Sequence, residues 1–420
     1  MATLSNRLQD ILGPLRSRLK TWQAAIVATC VSFLLGRLVN ALSGPPLTAL
    51  DTIREVFWLW GPFGRRLNAI SWIAAALPFL SSFARKWLER HLRDPALLKE
   101  YLAIQNRFIP FELRHLFHGA VAWGPCCTLQ LAPFLREGWS LSDIRIELEP
   151  RKYTLPKKKL DAYRNYRNSQ SERFRSDKPK FALCKQPPFA LTDASHIELR
   201  VAQTRFSEVQ FFKDRVAGVT AERDEYVVEA REREITFPNA FCLHLIVVTS
   251  DSCLLLVHRS ERLAYNANVW SLSIEEQMAT DDISSARASQ VFTRWSHRLL
   301  QEELGLSDED IRDTEFRALS VFLEADVLNC SIAAVAFLPI DSHSLDTVIR
   351  AGHRPDREFD DWRYLKENEL LSELLYPTRS YHTTAPYRML VFLASRSSFR
   401  TLVRRIVSQD KEPALNSPGG

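Results

Sequence analysis

Glycine is scarce: the 420 residues contain 13, a number that argues against a Gly-rich phosphate cradle anywhere in the chain. Cysteine patterning is also missing. The seven cysteines (Cys30, Cys126, Cys127, Cys184, Cys242, Cys253 and Cys330) form no C-x-x-C pair, and the adjacent Cys126 and Cys127 lack zinc-ligand spacing. A reducing, cytosolic setting is therefore expected for the soluble part. The net charge is only +5, so its distribution matters more than its sum. The length exceeds a single small core, and two or three segments are expected.

What is present is unevenly placed. Residues 22–42 run WQAAIVATCVSFLLG, one arginine (Arg37), then LVNAL, long enough to cross a bilayer. A second apolar stretch, residues 67–84, is bracketed by Arg65-Arg66 and Arg85-Lys86, contains Trp72 and carries a kinking Pro78. Two membrane spans are expected here. A signal peptide, with Arg16, Arg18 and Lys20 ahead of the first run, and a pair of buried soluble helices are the alternatives. An even number of spans puts both chain ends on one side, and the cysteine usage assigns that side to the cytoplasm.

Residues 101–185 read as a connector. Its first part, IPFELRHLFHGAVAWGPCCTLQLAPFL, is apolar but interrupted by Pro110, Gly119, Gly124, Pro125 and Pro133, which suits a packed or interfacial segment rather than a span. Its second part, residues 151–180, holds eleven Lys or Arg against three Asp or Glu, giving +8 by subtraction, with Tyr153, Tyr163, Tyr166 and Phe174 interleaved. Lys157, Lys158, Lys159, Arg164 and Arg167 are its candidate contacts to nucleotide phosphates or anionic lipid headgroups. A solvated linker is the competing reading.

The segment 186–410 changes pattern to apolar and polar alternation. Strands are expected from Ile197, Phe241, Cys253, Phe316 and Asn329. Between the third and fourth, Arg287 to Gly305 places Val291, Trp295, Leu299 and Leu300 at helical spacing, with Gly305 as the stop. FDDWRYLKENELLSELL and RSSFRTLVRRIV read as two further helices, and residues 411–420 as a flexible tail. Strands on both sides of a central helix describe an α+β sandwich.

The central helix resembles the Nudix superfamily, whose box is G-x5-E-x7-R-E-U-x-E-E-x-G-U with U apolar. In HRLLQEELGL, Arg298 matches the arginine, Leu300 the apolar position, Glu302 and Glu303 the paired glutamates, Gly305 the glycine and Leu306 the last apolar position. Leu299 stands where the glutamate after the arginine belongs, Gln290 where the earlier glutamate belongs, and Ser284 where the glycine belongs. The order strand, hairpin, strand, VWSLSIEEQM and helix also resembles a Nudix domain. The resemblance implies an α/β/α sandwich behind the two-helix transmembrane region.

It further implies Mg²⁺ held by helix carboxylates, here Glu302 and Glu303 with Glu275 or Glu276 recruited from the loop, and Arg298 orienting the helix by pairing with neighbouring carboxylates. From Glu275 to Glu315, eleven Asp or Glu against four Arg leave a net −7, which suits a cation. Positions 299 and 303 share a helix face, so Leu299 takes one carboxylate away from Glu303.

The whole arrangement is similar to the transmembrane Nudix-domain effectors of cyclic-oligonucleotide antiphage signalling (CBASS). That resemblance implies a cyclic nucleotide ligand, a homo-oligomer, a bacterial inner-membrane location and no duplex nucleic acid. A membrane-tethered, Mg²⁺-dependent Nudix hydrolase of a nucleoside diphosphate derivative is the alternative.

Overall fold

The computed structural model describes residues 94–411 apart from short breaks at 118–120, 133–134, 136, 151, 154, 176, 186–195, 233–234, 264, 284–286 and 353–356. The spans expected at 22–42 and 67–84, the residue Ser284 and the tail at 411–420 lie outside this range or at its edge. Among the described residues, no helix is long and apolar enough to cross a membrane.

Among the described residues, twelve strands form two sheets: β1 (Ala122–Trp123), β2 (Cys126–Leu131), β3 (Ile144–Leu148), β4 (Pro179–Lys185), β5 (Ile197–Arg205), β6 (Phe241–Val248), β7 (Cys253–Arg259), β8 (Trp270–Leu272), β9 (Ile274–Gln277), β10 (Glu315–Glu324), β11 (Asn329–Phe337) and β12 (Phe359–Lys366). The larger sheet runs β1-β2-β10-β11-β6-β7-β12, with β8 paired to β7 and β9 to β6; the smaller runs β3-β5-β4. Pairing is antiparallel except between β11 and β6 and between β3 and β5.

The longer helices described with them are α1 (Pro95–Phe108), α2 (Leu160–Ser169), α3 (Phe206–Phe211), α4 (Thr220–Glu232), α5 (Val291–Leu299), α6 (Ser342–Ala351), α7 (Glu367–Leu375), α8 (Ala385–Arg396) and α9 (Phe399–Lys411). Helix α1 starts where Asp94 accepts from Ala96 N at 3.1 Å and Leu97 N at 3.2 Å, satisfying two orphan donors, with Pro95 needing none.

The strand period of two fixes the layers. On β6, Phe241, Leu243, Leu245 and Val247 face a core shared with α5 and the small sheet. Ile246 and Val248 face a second core built with α1, α7, α8 and α9. The fold is therefore mixed α+β, with helices on both faces of the large sheet.

Three sequence readings change. FDDWRYLK is a strand, not the start of a helix: it pairs with β7 from Lys366 opposite Cys253 to Phe359 opposite Arg259. Its aromatics suit a half-buried pleated edge, and helix begins only at Glu367. The stretch holding Glu275 and Glu276 is strand rather than loop, with Glu275 opposite His244 and Glu276 opposite Leu243. Within 101–185, Cys126–Leu131 joins the large sheet beside β10 and Pro179–Lys185 the small one beside β5.

Candidate functional site

Helix α5 buries Val291, Phe292, Trp295 and Leu299 against the sheet, one apolar stripe at helical spacing. It then widens into a π-turn, Leu300–Leu304, and ends at Gly305 with φ +77°. The left-handed residue stops the helix at little steric cost because glycine lacks Cβ. Such π-turns recur at functional sites. Arg298, in the last turn of α5, reaches Glu276 on β9, while Glu303 lies within the π-turn.

Arg298 is saturated. Its Nε donates to Asp282 Oδ1 at 2.9 Å and its Nη2 to Asp282 Oδ2 at 2.8 Å. Its Nη1 donates to Glu302 Oε2 at 2.8 Å and also to Glu276 Oε1. Partial burial disfavours the guanidinium's charge, but the bonds to Asp282 and Glu276 outweigh it and hold the pKa above the ordinary arginine range. Arg298 thus pairs with Asp282, Glu276 and Glu302 at once.

Glu303 points elsewhere. It is 8% exposed, and its Oε2 accepts from the backbone N of Glu358 at 3.3 Å. Burial, with the like charge of Glu358, pushes its carboxyl up to about 8. Burial likewise pushes Glu276 up to about 7 against the pull of Arg298, and Glu276 Oε2 is buried without a hydrogen-bond partner.

Alternation on β9 sends Glu275 to the opposite face from Glu276. There it meets Arg259 Nη1 at 2.7 Å, His244 Nδ1 at 2.9 Å, His382 Nε2 at 3.1 Å and Arg388 Nη2 at 3.8 Å. Burial alone would raise its pKa; Arg259, His382 and His244 reverse that and hold the carboxyl well below its usual range. Burial drops His244 to about 4. His382 Nδ1 accepts from Thr384 N at 3.1 Å, which leaves Nε2 to donate toward Glu275.

A further pair went unnoticed in the sequence. Glu324, at the end of β10, accepts from Tyr265 Oη at 2.7 Å and from Thr383 Oγ1. Burial and then Asp326 push it up to about 8, while burial raises Asp326 to about 6. Lys213 Nζ lies 3.3 Å from the Tyr265 ring centroid. Asn266, in the left-handed region at φ 48°, donates to Thr383 Oγ1 at 3.1 Å and sits 3.0 Å from His382 Nε2. These contacts join Glu324 to Glu275, and Arg259 carries the chain on to Glu358 at 3.3 Å. No short motif signals this network, since its members come from six separate elements.

The expected phosphate or lipid contacts are on α2 and the turn before it. Lys159 pairs with Glu222, Arg164 with Asp161 at 3.1 Å, and Arg167 with Asp177 at 3.6 Å; Lys157 and Lys158 are exposed. Tyr163, Tyr166 and Phe174 are buried, so the interleaved aromatics belong to the core. The structure brings Arg298, Glu276 and Glu302 together with Glu303 close by; Lys159, Arg164 and Arg167 of α2 and its preceding turn pair instead with Glu222, Asp161 and Asp177.

Among the described residues, no three His, Cys, Asp or Glu side chains are arranged to hold a metal ion. Glu302 is turned to Arg298, Glu303 to Glu358, and position 299 is a core leucine. Among the described residues, Glu302 and Glu303 therefore face separate partners and do not converge as the donor set of a Nudix-type Mg²⁺ site.

No protein-family model matches the chain, and no curated protein matches it. Solved structures with partial likeness include DR0079 from Deinococcus radiodurans (17% identity, 40% of this chain and 82% of that one, TM-score 0.23). Others are the MutT protein from Methanosarcina mazei Go1 (16%, 42% and 97%, TM-score 0.22) and the Nudix hydrolase RenU from M. smegmatis (16%, 38% and 86%, TM-score 0.22).

Proposed function

We propose that residues 186–410 form a Nudix-like domain that retains a nucleotide without cleaving it. In this reading the chain is a CBASS-type membrane effector: the domain binds a cyclic nucleotide on the cytoplasmic side of a bacterial inner membrane, self-associates, and drives the N-terminal spans to breach the bilayer. The observation that carries the binding half is the end of α5. Leu299 lies in the core and Arg298 pairs with Glu302, so neither position 299 nor Glu302 is turned to a catalytic cation. The membrane half rests on the apolar stretches at 22–42 and 67–84 and on the resemblance of the whole arrangement.

Equilibrium binding of a panel of cyclic di- and trinucleotides to the full chain, with product analysis in the presence of Mg²⁺, tests this. Saturable binding with intact ligand supports retention. Cleavage, or failure of every cyclic nucleotide to bind, overturns it.

One observation favours hydrolysis instead. Glu276 and Glu303 are both held up by burial, and each feels the other or a second carboxylate nearby. A divalent cation would supply the missing counter-charge. Mg²⁺-dependent turnover of a nucleoside diphosphate derivative that disappears in Glu303→Gln would establish that reading.

A further inference from the structure

A cleft of about 450 Å³ opens between α2, the π-turn Phe212–Val216 and the start of α4, a volume typical of small-ligand sites. Its floor is apolar, because Phe211 and Val216 are buried beneath it. One lip is Val219, a large apolar residue left 47% exposed.

The rim is cationic. The exposed Arg215 guanidinium lies 5.9 Å from the centre of the Tyr166 ring and enters no ion pair among the described residues. Its neighbour Asp214 is already taken, accepting from Tyr166 Oη at 2.5 Å and from Arg173 Nη1 at 3.2 Å. Lys159 stands in the wall opposite Glu222. The Asn165 amide is exposed and makes no hydrogen bond to another described residue, and Ala162, one turn earlier on the same face of α2, leaves room beside it. Two cations against one carboxylate, a free amide and an apolar floor define an amphipathic anion site. Arginine matches phosphate oxygens in a two-pronged geometry that a point charge does not.

We propose that this cleft binds a phosphate ester, with the phosphate on Arg215 and Asn165 and the organic body against Val216 and Val219. The site shares no residue with the carboxylate network, so it goes beyond the retention reading and does not depend on it. The same chemistry is offered by a mononucleotide and by a phosphatidate headgroup.

The test is calorimetric titration of the full chain with adenosine 5′-monophosphate, with dihexanoyl phosphatidic acid as a soluble lipid, and with inorganic phosphate. Saturable binding of either ester is expected, about tenfold or more weaker in Arg215→Glu and in Asn165→Leu. Arg404→Glu, an equal change of charge on α9, should leave it unchanged. Which ester binds more tightly identifies the source. The proposal is overturned if neither ester binds, if Arg404→Glu weakens binding as much as Arg215→Glu, or if inorganic phosphate binds as tightly as the esters.

Discussion

Arg298 and Asp282 form a two-pronged ion pair, Nε to Oδ1 at 2.9 Å and Nη2 to Oδ2 at 2.8 Å. Asp282 also accepts from Ala279 N at 2.7 Å, so the pair fastens the end of β9 to the far end of α5. Removing the guanidinium takes the cation away from the buried Asp282 and the part-buried Glu276. Arg298→Ala is expected to destabilise the folded state by about 3 kcal/mol, since it leaves buried charge uncompensated. Arg298→Lys should recover only part of this, because lysine lacks the planar fork. Urea unfolding of both variants measures it.

Leu299 makes the opposite point. It is buried with Val291 and Trp295 in the core beneath the sheet, and Leu299→Ala should cost about 3 kcal/mol through the cavity left behind. Introducing a glutamate at this position by Leu299→Glu would place a carboxylate in that core. The expected outcome is a larger loss of stability with no gain of Mg²⁺-dependent hydrolysis; a stable, hydrolytic Leu299→Glu protein would show that the helix can turn to present position 299.

Glu303 predicts a pH dependence. Burial lifts its folded pKa from the ordinary 4.5 to about 8, so between those values the folded state holds a proton that the unfolded state has lost. Stability contributed by this group is full below the lower value and falls as pH rises through the upper one. Glu303→Gln removes the titration, and should flatten the decline between pH 5 and pH 8 by up to about 4 kcal/mol. Thermal unfolding across that range compares the two proteins. Glu276 and Glu324 contribute with the same sign.

Gly305 closes α5 at φ +77° with open space where a Cβ would stand. Gly305→Ala therefore meets a backbone penalty without a clash. A loss of about 1 kcal/mol is expected, and Gly305→Asn should lose less because asparagine tolerates this region. Chemical unfolding distinguishes the two.

The elements legible in the sequence are those whose own residues supply the pattern. Phe241–Val248 and Asn329–Phe337 are apolar runs of strand length, and α5 declares itself by spacing and by its terminal glycine. β9 does not, because Glu275 and Glu276 are tolerable in a strand only when Arg259, His382 and Arg298 arrive from elsewhere to meet them. Cys126–Leu131 is flanked by Gly124, Pro125 and Pro133, whose punctuation hides a strand stabilised by its distant partner β10. The Glu324, Tyr265 and Lys213 cluster is invisible for the same reason: each residue is ordinary until the fold brings the others to it.

The parallel pairing of β6 with β11 sets the order in which this chain can mature. Cys330 must reach Phe241 and Phe337 must reach Val248 before that side of β6 is covered, so closing the sheet waits on a long connection that includes β7, α5 and β10. During synthesis β6 is made early and spends the interval with one flank unsatisfied. Fragments ending before Asn329 should carry an open, apolar strand edge and aggregate, whereas those extending past Phe337 can hide it.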